Sequence, residues 1–281
     1  MGSSARYSSV KHLAMAVNLG RWSETLFAMF SAYFDCSHGG LKDGTFAVSG
    51  WLSTAERWHE FSADWQSILA SYQVPYFHMK EFAHSRGAYS SGWKGDEPKR
   101  GAFIQELIGA ISHHAMAGFA CLAESQVYQE VDREYRVREH FGSEYALCSR
   151  VCVAKVKMWL GGHGLADPVE YVFDDGDVRG RLNQLMEEDG YPPPIYKPSR
   201  DRVTKDGTQI CGMLPLQAAD LAAYELRKGW DDFGDATTIE EVERYRKSFR
   251  GVGAALDQGD WGRCSADDLR QICRGRNVPA R

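Results

Sequence analysis

The stretch that most constrains this chain runs from Phe30 to Gly40, where an apolar strand ends on an acid and the backbone turns sharply. Aromatic residues alternate with small ones as far as Phe34, and Asp35 follows. Two glycines after Ser37 free the backbone to adopt conformations closed to other residues. A carboxylate at the end of a buried strand is held rigidly and is open to a ligand. The alternative is that Asp35 only caps the turn through its side chain.

The totals describe an ordinary soluble chain. Its 281 residues can bury a full core, and 43% of them are hydrophobic and 25% charged. A net charge of -5 gives no overall electrostatic footprint for nucleic acid, so such binding needs a local basic patch. The seven cysteines are scattered and form no Cys-x-x-Cys, which favours a reducing cytoplasm over a disulfide framework or a zinc ribbon.

The chain divides into three predicted parts. A flexible N-terminal leader covers residues 1–24, an α/β domain covers 25–230, and a C-terminal helical extension covers 231–281. The apolar run in the leader is too short to span a membrane, and no later segment is long and apolar enough. Strands and helices alternate in an order that predicts a mixed sheet, and ligands of such sheets bind beyond the carboxyl ends of the strands.

Acids from several elements are candidates for a magnesium site. Magnesium prefers hard oxygen ligands, and two such ions about 3.5–4 Å apart can bind the attacking and leaving oxygens of a phosphodiester. The candidates are Asp35, Asp174 or Asp175, and Asp220, with Glu81 as a fourth. Neighbouring strand residues face opposite ways, so Asp174 and Asp175 cannot both enter one site without a turn. The alternative for Asp175 is that it caps the next helix.

Asp220 lies in an alanine-rich helix, where an acid is out of character. Gln217 and Asp220 are spaced to share one face with Tyr224 and Arg227. An ordinary solvated stripe is the alternative. The small alanines favour close packing of this helix on the sheet, which would bring Asp220 near the strand ends.

The segment from Val74 to Phe82 sets polar residues among aromatics. We predict that it is extended, with His78 and Lys80 facing one way and Glu81 the other. His78 is then a candidate to position a water or contact a phosphate, and Lys80 a candidate for the phosphate alone. The alternative for His78 is a hydrogen-bonded core histidine.

Two further features carry weaker signals. The run from Lys197 to Lys205 includes Arg200 and Arg202 and is the best local basic patch. It is a candidate contact for a phosphate backbone, with a solvated loop as the alternative. Cys36, next to Asp35, raises the separate idea of a cysteine-dependent hydrolase, although no histidine but the nearby His38 accompanies it.

Four of these segments together resemble the domain-of-unknown-function 3800 family, which is common in bacteria and their mobile elements. That family typically has a strand ending in Asp-Glu-Ser-Gly, a histidine segment with a nearby acid, a strand ending in Asp, and a Leu-Gln-x-Ala-Asp helix. The matching positions here are Asp35-Cys36-Ser37, His78-Met79-Lys80-Glu81, Phe173-Asp174-Asp175 and Leu216-Gln217-Ala218-Ala219-Asp220. The resemblance covers roughly residues 28–230, and its last motif is the most specific.

The resemblance implies a divergent ribonuclease H-like fold, with three layers and helices on both faces of a mixed central sheet. It implies Mg²⁺ or Mn²⁺ bound by acids of the first strand, a later strand and a C-terminal helix, hence by Asp35, Asp174 or Asp175, and Asp220. We add His78 and Glu81 as catalytic candidates. The predicted substrate contacts are Ser37, Lys80, Gln217, Arg200 and Arg202.

The predicted function is therefore a metal-dependent nuclease or phosphodiesterase that acts on nucleic acid. Cys36 departs from the family pattern, which has Glu at this position, and a thiol is the wrong class of donor for magnesium. The alternative is a catalytically weak or inactive ribonuclease H-like module that binds nucleic acid or protein.

Overall fold

The computed structural model describes residues 30–39, 44–165, 168–175, 180–234 and 246–281. Its strands are β1 (Phe30–His38), β2 (Thr45–Thr54), β3 (Ala117–Glu124), β4 (Val169–Asp174), β5 (Ile195–Lys197), β6 (Arg202–Val203), β7 (Gln209–Ile210) and β8 (Asp260–Arg263). Six of them form the central sheet in the order β5-β4-β1-β2-β3-β8, and β6 pairs with β7 in a separate hairpin. β2 is antiparallel to both of its neighbours, and the other pairs in the central sheet are parallel. The carboxyl ends of β1 and β4 therefore lie at the same edge.

Helices cover both faces of this sheet. They are α1 (Ala55–Ser71), α2 (Met79–Ala83), α3 (Glu97–His114), α4 (Ser125–Glu134), α5 (Val137–Phe141), α6 (Glu144–Gly162), α7 (Gly180–Glu188), α8 (Leu214–Phe233), α9 (Lys247–Leu256) and α10 (Ala266–Gly275). One core layer joins the sheet to α1, α3, α8 and α9, and the other joins it to α4, α6, α7 and α10. The predicted mixed sheet with helices on both faces is confirmed.

Side chains alternate between these two layers along the strands that carry the site. In β1, Phe34 packs in the α6 layer and Tyr33 in the α8 layer. In β4, Phe173 and Val172 divide in the same way. Successive strand residues point to opposite faces of the sheet. This alternation therefore determines which face Asp35 and Asp174, the next residues of the two strands, point toward. Phe34 pairs with Phe173, which brings Asp35 level with Asp174, the last residue of β4.

The helix α8 is buried along nearly its whole length because it lies between the sheet and α1. Its alanines have no exposed surface and allow the helix backbone to approach the strands closely, as the Trp51 Nε1 atom donates to the Ala218 carbonyl over 3.1 Å. A proline at its start fits the first turn, where the missing N–H costs nothing. The close packing predicted from the alanines is observed.

The segment after Val74 differs from its prediction. It was expected to be extended, but α2 begins at Met79 and His78 occupies the N-cap position. Lys80 and Glu81 are therefore helical, and strand alternation does not apply to them. The segment after α2 contains a short 3-10 helix at Gly87–Tyr89 and leads into α3.

The C-terminal segment, predicted as a helical extension, also contributes a strand. β8 pairs with β3 in parallel and forms one edge of the sheet, between α9 and α10. The predicted leader, 1–24, lies outside the described residues. Within the described ranges, no helix is long and apolar enough to cross a membrane.

Candidate active site

Three acids come together beneath α8, where β4 ends at Asp174. β1 was expected to end on Asp35 but continues to His38, because its pairing with β2 extends that far. Asp35 and Asp174 continue the alternation of Tyr33 and Val172, so both carboxylates face the α8 layer. Asp220 lies in the second turn of α8 and is 8% exposed. The three side chains, which the sequence placed in separate segments, share one desolvated space that we call the acid cluster.

The electrostatics of the acid cluster reflect this proximity. Burial raises the pKa of Asp35 well above its usual value, and the charges of Asp174 and Asp220 raise it further. Burial also raises the pKa of Asp220 to about 6, with Asp174 adding to the rise and His78 opposing it. The pKa of Asp174 is raised by burial against the lowering effect of hydrogen bonds from Ser199. Like charges held this close disfavour their ionised forms unless a cation joins them.

Each carboxylate of the acid cluster is held by a backbone N–H. Cys36 N donates to Asp35 Oδ1 over 2.6 Å, and Ser199 N donates to Asp174 Oδ1 over 2.9 Å. Met79 N, at the start of α2, donates to Asp220 Oδ2 over 2.6 Å. The three acids are thus oriented by N–H groups of β1, of the start of α2 and of the loop after β5.

The donor set fits a hard divalent cation, because carboxylate oxygens are the ligands that Mg²⁺ and Mn²⁺ prefer. The carboxylates of the acid cluster repel one another, and a bound cation would relieve that repulsion. In the described part of the chain, however, no group of three or more His, Cys, Asp or Glu side chains is arranged to hold a metal ion. Binding would therefore require Asp35, Asp174 and Asp220 to close on the ion.

Asp175 occupies a different environment from Asp174. Its side chain is only 5% exposed and forms an ion pair with Arg202. Its own N–H donates to the Lys197 carbonyl over 2.9 Å, which continues the pairing of β4 with β5. Arg202, a predicted substrate contact, is thus engaged by an acid that was itself a predicted ligand.

Glu81 lies beside the acid cluster in a network of its own. Tyr76 OH donates to Glu81 Oε2 over 2.8 Å, and Arg200 Nη1 donates to Glu81 Oε1 over 3.0 Å. Burial acts to raise the pKa of Glu81, but these two hydrogen bonds outweigh it and the pKa is lowered. His78 Nδ1 lies 3.4 Å from Glu81 Oε1. Gly87 has a φ of +55°, and a Cβ there would lie 2.0 Å from the Glu81 carboxylate, so the carboxylate needs a glycine beside it.

Gln217 is buried under the site, with 1% of its surface exposed. Its Oε1 accepts hydrogen bonds from Trp65 Nε1 over 3.0 Å and from Phe77 N over 2.9 Å. Its Nε2 donates to the Ser199 carbonyl over 2.7 Å. These bonds tie α8 to the two loops whose N–H groups hold the acids, which gives Gln217 a positioning role in the fold.

Two clefts flank the acid cluster. One, of about 250 Å³, is lined by Tyr76, Ser199, Arg200 and Gln217 among others. The other, of about 300 Å³, is lined by Asp220 and by the predicted residues Ser37, His78 and Lys80. It is also lined by Cys36 and by groups that the prediction missed: His38, His84, Tyr224 and Arg227. The helical spacing of Asp220, Tyr224 and Arg227 was the signal for the last two.

Cys36 points away from the acid cluster. It packs against the apolar layer of α6, as alternation from Asp35 requires. Burial raises the pKa of its thiol, and the charges of the acid cluster raise it further, Asp35 first. A thiol in this state is a poor nucleophile, which argues against a cysteine-dependent hydrolase.

Comparison with known proteins gives a fold-level result. No family model matches the chain, and no curated protein matches it. Among solved structures, Bst-RNase HIII in complex with Mn²⁺ matches with a TM-score of 0.35 and 11% identity, over 83% of this chain and 72% of that one. A point mutant of Bst-RNase HIII matches with a TM-score of 0.35 and 10% identity, over 88% and 81%.

A likeness of this size carries no argument about activity. The order and direction of the strands show a six-stranded mixed sheet, and its ribonuclease H-like classification stays what the motifs predict. Membership of the domain-of-unknown-function 3800 family stays a prediction from the motifs.

Proposed function

We propose that this chain is a metal-dependent nuclease or phosphodiesterase that acts on nucleic acid. The observation that carries the proposal is the convergence of Asp35, Asp174 and Asp220 in one buried space, where the charge of Asp174 raises the pKa of both Asp35 and Asp220. A fold that only needed stability would not hold three repelling carboxylates together at a strand edge.

Asp35, Asp174 and Asp220 are the residues that would hold Mg²⁺ or Mn²⁺. A bound divalent ion supplies a nucleophile from water at neutral pH and neutralises charge on the phosphate oxygens. The backbone donors of Cys36 and Met79 keep the carboxylates aimed at the common space.

His78 is the group best placed to hold a proton of the reacting water. It lines the cleft that contains Asp220, and its Nδ1 faces Glu81 Oε1. Hydrogen bonds from Tyr76 and Arg200 fix the Glu81 carboxylate, so the imidazole lies beside a group that is held in place. Glu81 is then a positioning residue for His78.

The test is a cleavage assay on single-stranded, duplex and hybrid substrates with Mg²⁺ or Mn²⁺. Asp35→Asn, Asp174→Asn and Asp220→Asn should each reduce cleavage on the order of a hundredfold or more, because each removes a charge that balances the ion. Asp257→Asn, at an exposed helix end, is the matched control and should cleave normally. A parallel melting series should show a rise in Tm with Mn²⁺ in the wild type and the control only.

A second candidate is a module that binds nucleic acid without cleaving it. It is favoured by the absence, within the described ranges, of a formed three-ligand arrangement. Wild-type protein that binds oligonucleotides but neither cleaves them nor gains Tm with Mn²⁺ would support this candidate over the nuclease.

A further inference from the structure

The cleft that contains Asp220 also has basic residues in its lining. They are His38, His78, Lys80, His84 and Arg227, and the Ser37 hydroxyl lies beside Arg227. Asp220 contributes negative charge, and Asp231 pairs with Arg227. Lys80 and Arg227 supply the N–H donors by which this basic lining suits an anion.

Arg227 is the most buried basic residue of this lining. Its 9% exposure is unusual for an arginine. Its Nε donates to Ser37 Oγ over 2.9 Å, its Nη1 binds Asp231, and its guanidinium lies 5.2 Å from the centre of the Tyr224 ring. In the described ranges, no protein group accepts a hydrogen bond from Nη2. No atom of Arg227 is both fully buried and without a partner among the described residues, so Nη2 remains accessible and can donate to an anion in the cleft.

The remaining donors of Arg227 suggest which anion. Nε and Nη1 are engaged by Ser37 and Asp231, so the two N–H groups of Nη2 remain to make charge-assisted hydrogen bonds to phosphate oxygens. Arg227 follows Asp220 by seven residues, which is two turns or about 10 Å along α8. A phosphate at Arg227 is therefore separate from a phosphate reacting at the acid cluster.

We propose that this cleft is a phosphate subsite, in which Arg227 and Lys80 bind a phosphate of the nucleic-acid strand next to the reacting one. The subsite rests on the proposed function for its substrate class. Its occupancy needs neither metal nor cleavage, because the donors belong to the folded chain itself.

The experiment measures binding in EDTA, so that cleavage plays no part. The probes are fluorescein-labelled single-stranded DNA and RNA, followed by anisotropy over a range of salt concentrations, with inorganic phosphate as a competitor. The variants are Arg227→Gln, Arg227→Lys and Lys80→Gln. The control is Arg133→Gln, an exposed arginine of α4 on the other side of the sheet.

Arg227→Gln should weaken binding on the order of tenfold, because a charge-assisted pair of hydrogen bonds is lost. The slope of log affinity against log salt should become shallower by about 0.7, the value for one phosphate contact on a single strand. Arg227→Lys keeps the charge and should keep the slope while losing affinity. Arg133→Gln should match the wild type, and inorganic phosphate should compete less well with the probe in Arg227→Gln.

Several results would overturn the subsite. One is an unchanged salt slope in Arg227→Gln, and another is a wild type that binds neither probe nor phosphate. Lys80 is exposed on α2, so Lys80→Gln keeps the test decisive if Arg227→Gln fails to fold, and an unchanged slope there counts equally against the proposal. Asp220→Asn separates the two proposals, because it should lose cleavage and still bind the probes in EDTA.

Discussion

The two faces of the central sheet are built from different chemistry. The α8 face carries buried acids and amides, among them Asp220, Gln217 and Glu170. The α6 face is apolar and holds most of the cysteines, of which Cys148 is fully buried. The pKa of the Cys148 thiol is raised by its hydrogen bond with Cys121 and by burial, so it remains a neutral packing group. Both faces bury an apolar core, and the α8 face differs because it also buries charged groups.

The largest expected effect is on the apolar face. Leu147 has no exposed surface in α6, and Leu147→Ala should lower the free energy of unfolding by about 2–5 kcal/mol, because a cavity replaces packed atoms. Chemical denaturation measures this loss. Cleavage per folded molecule should not change at temperatures well below the Tm. A loss of cleavage in fully folded Leu147→Ala would show that the two faces are not separate in their roles.

A smaller effect is expected on the charged face. Glu170 is 7% exposed, its closest hydrogen-bond donor is Ser31 Oγ at 3.5 Å, and burial raises its pKa to about 7. The folded chain thus holds a proton that the unfolded chain, with a pKa of 4.5, has released. Stability from this group is present below the unfolded pKa and is lost as the pH rises through about 7.

Glu170→Gln should remove that dependence. Between about pH 5 and about pH 8, the wild type should lose about 2–3 kcal/mol relative to the variant. Urea unfolding of both proteins at the two pH values measures the difference. Equal changes in the two proteins would mean that Glu170 is not desolvated. The charged face would then lower the free energy of unfolding by less than its burial indicates.

The smallest effect is expected at Cys36, which stands next to the acid cluster but packs on the apolar face. Cys36→Ser should change cleavage by less than about twofold, because the side chain packs against the apolar layer of α6 and not with the three carboxylates. A steady-state cleavage assay beside the wild type measures this. A large loss would restore the thiol as a participant and would weaken the separation of the faces.

Much of the difference between the two faces of the sheet could be predicted from local sequence. The alternation up to Phe34 places Asp35 on a definite face, and the alanines around Asp220 predict a helix close to the sheet. Both signals are local periodic patterns, so they can be read from the sequence without knowledge of contacts with distant residues.

Other parts could not be predicted, because they depend on contacts between distant residues. The N–H of Met79 bonds Asp220, and this fixes the start of α2 where the aromatic residues indicated an extended segment. The Glu81 network needs Arg200, which is 119 residues away. Arg227 was visible as a member of the Asp220 face, but its burial against Ser37 depends on how α8 meets β1.

Main-chain N–H donors orient the carboxylates of the acid cluster. Their orientation therefore does not depend on the side chains of the residues that donate. Position 36 supplies an amide hydrogen to Asp35, and every amino acid except proline can supply it. The same holds at positions 79 and 199. Sequence drift at these three positions is therefore nearly neutral for the orientation of the acids, and a proline is the one replacement that would release a carboxylate. A cysteine in place of the expected glutamate is then one of many side chains that this corner of the fold can carry.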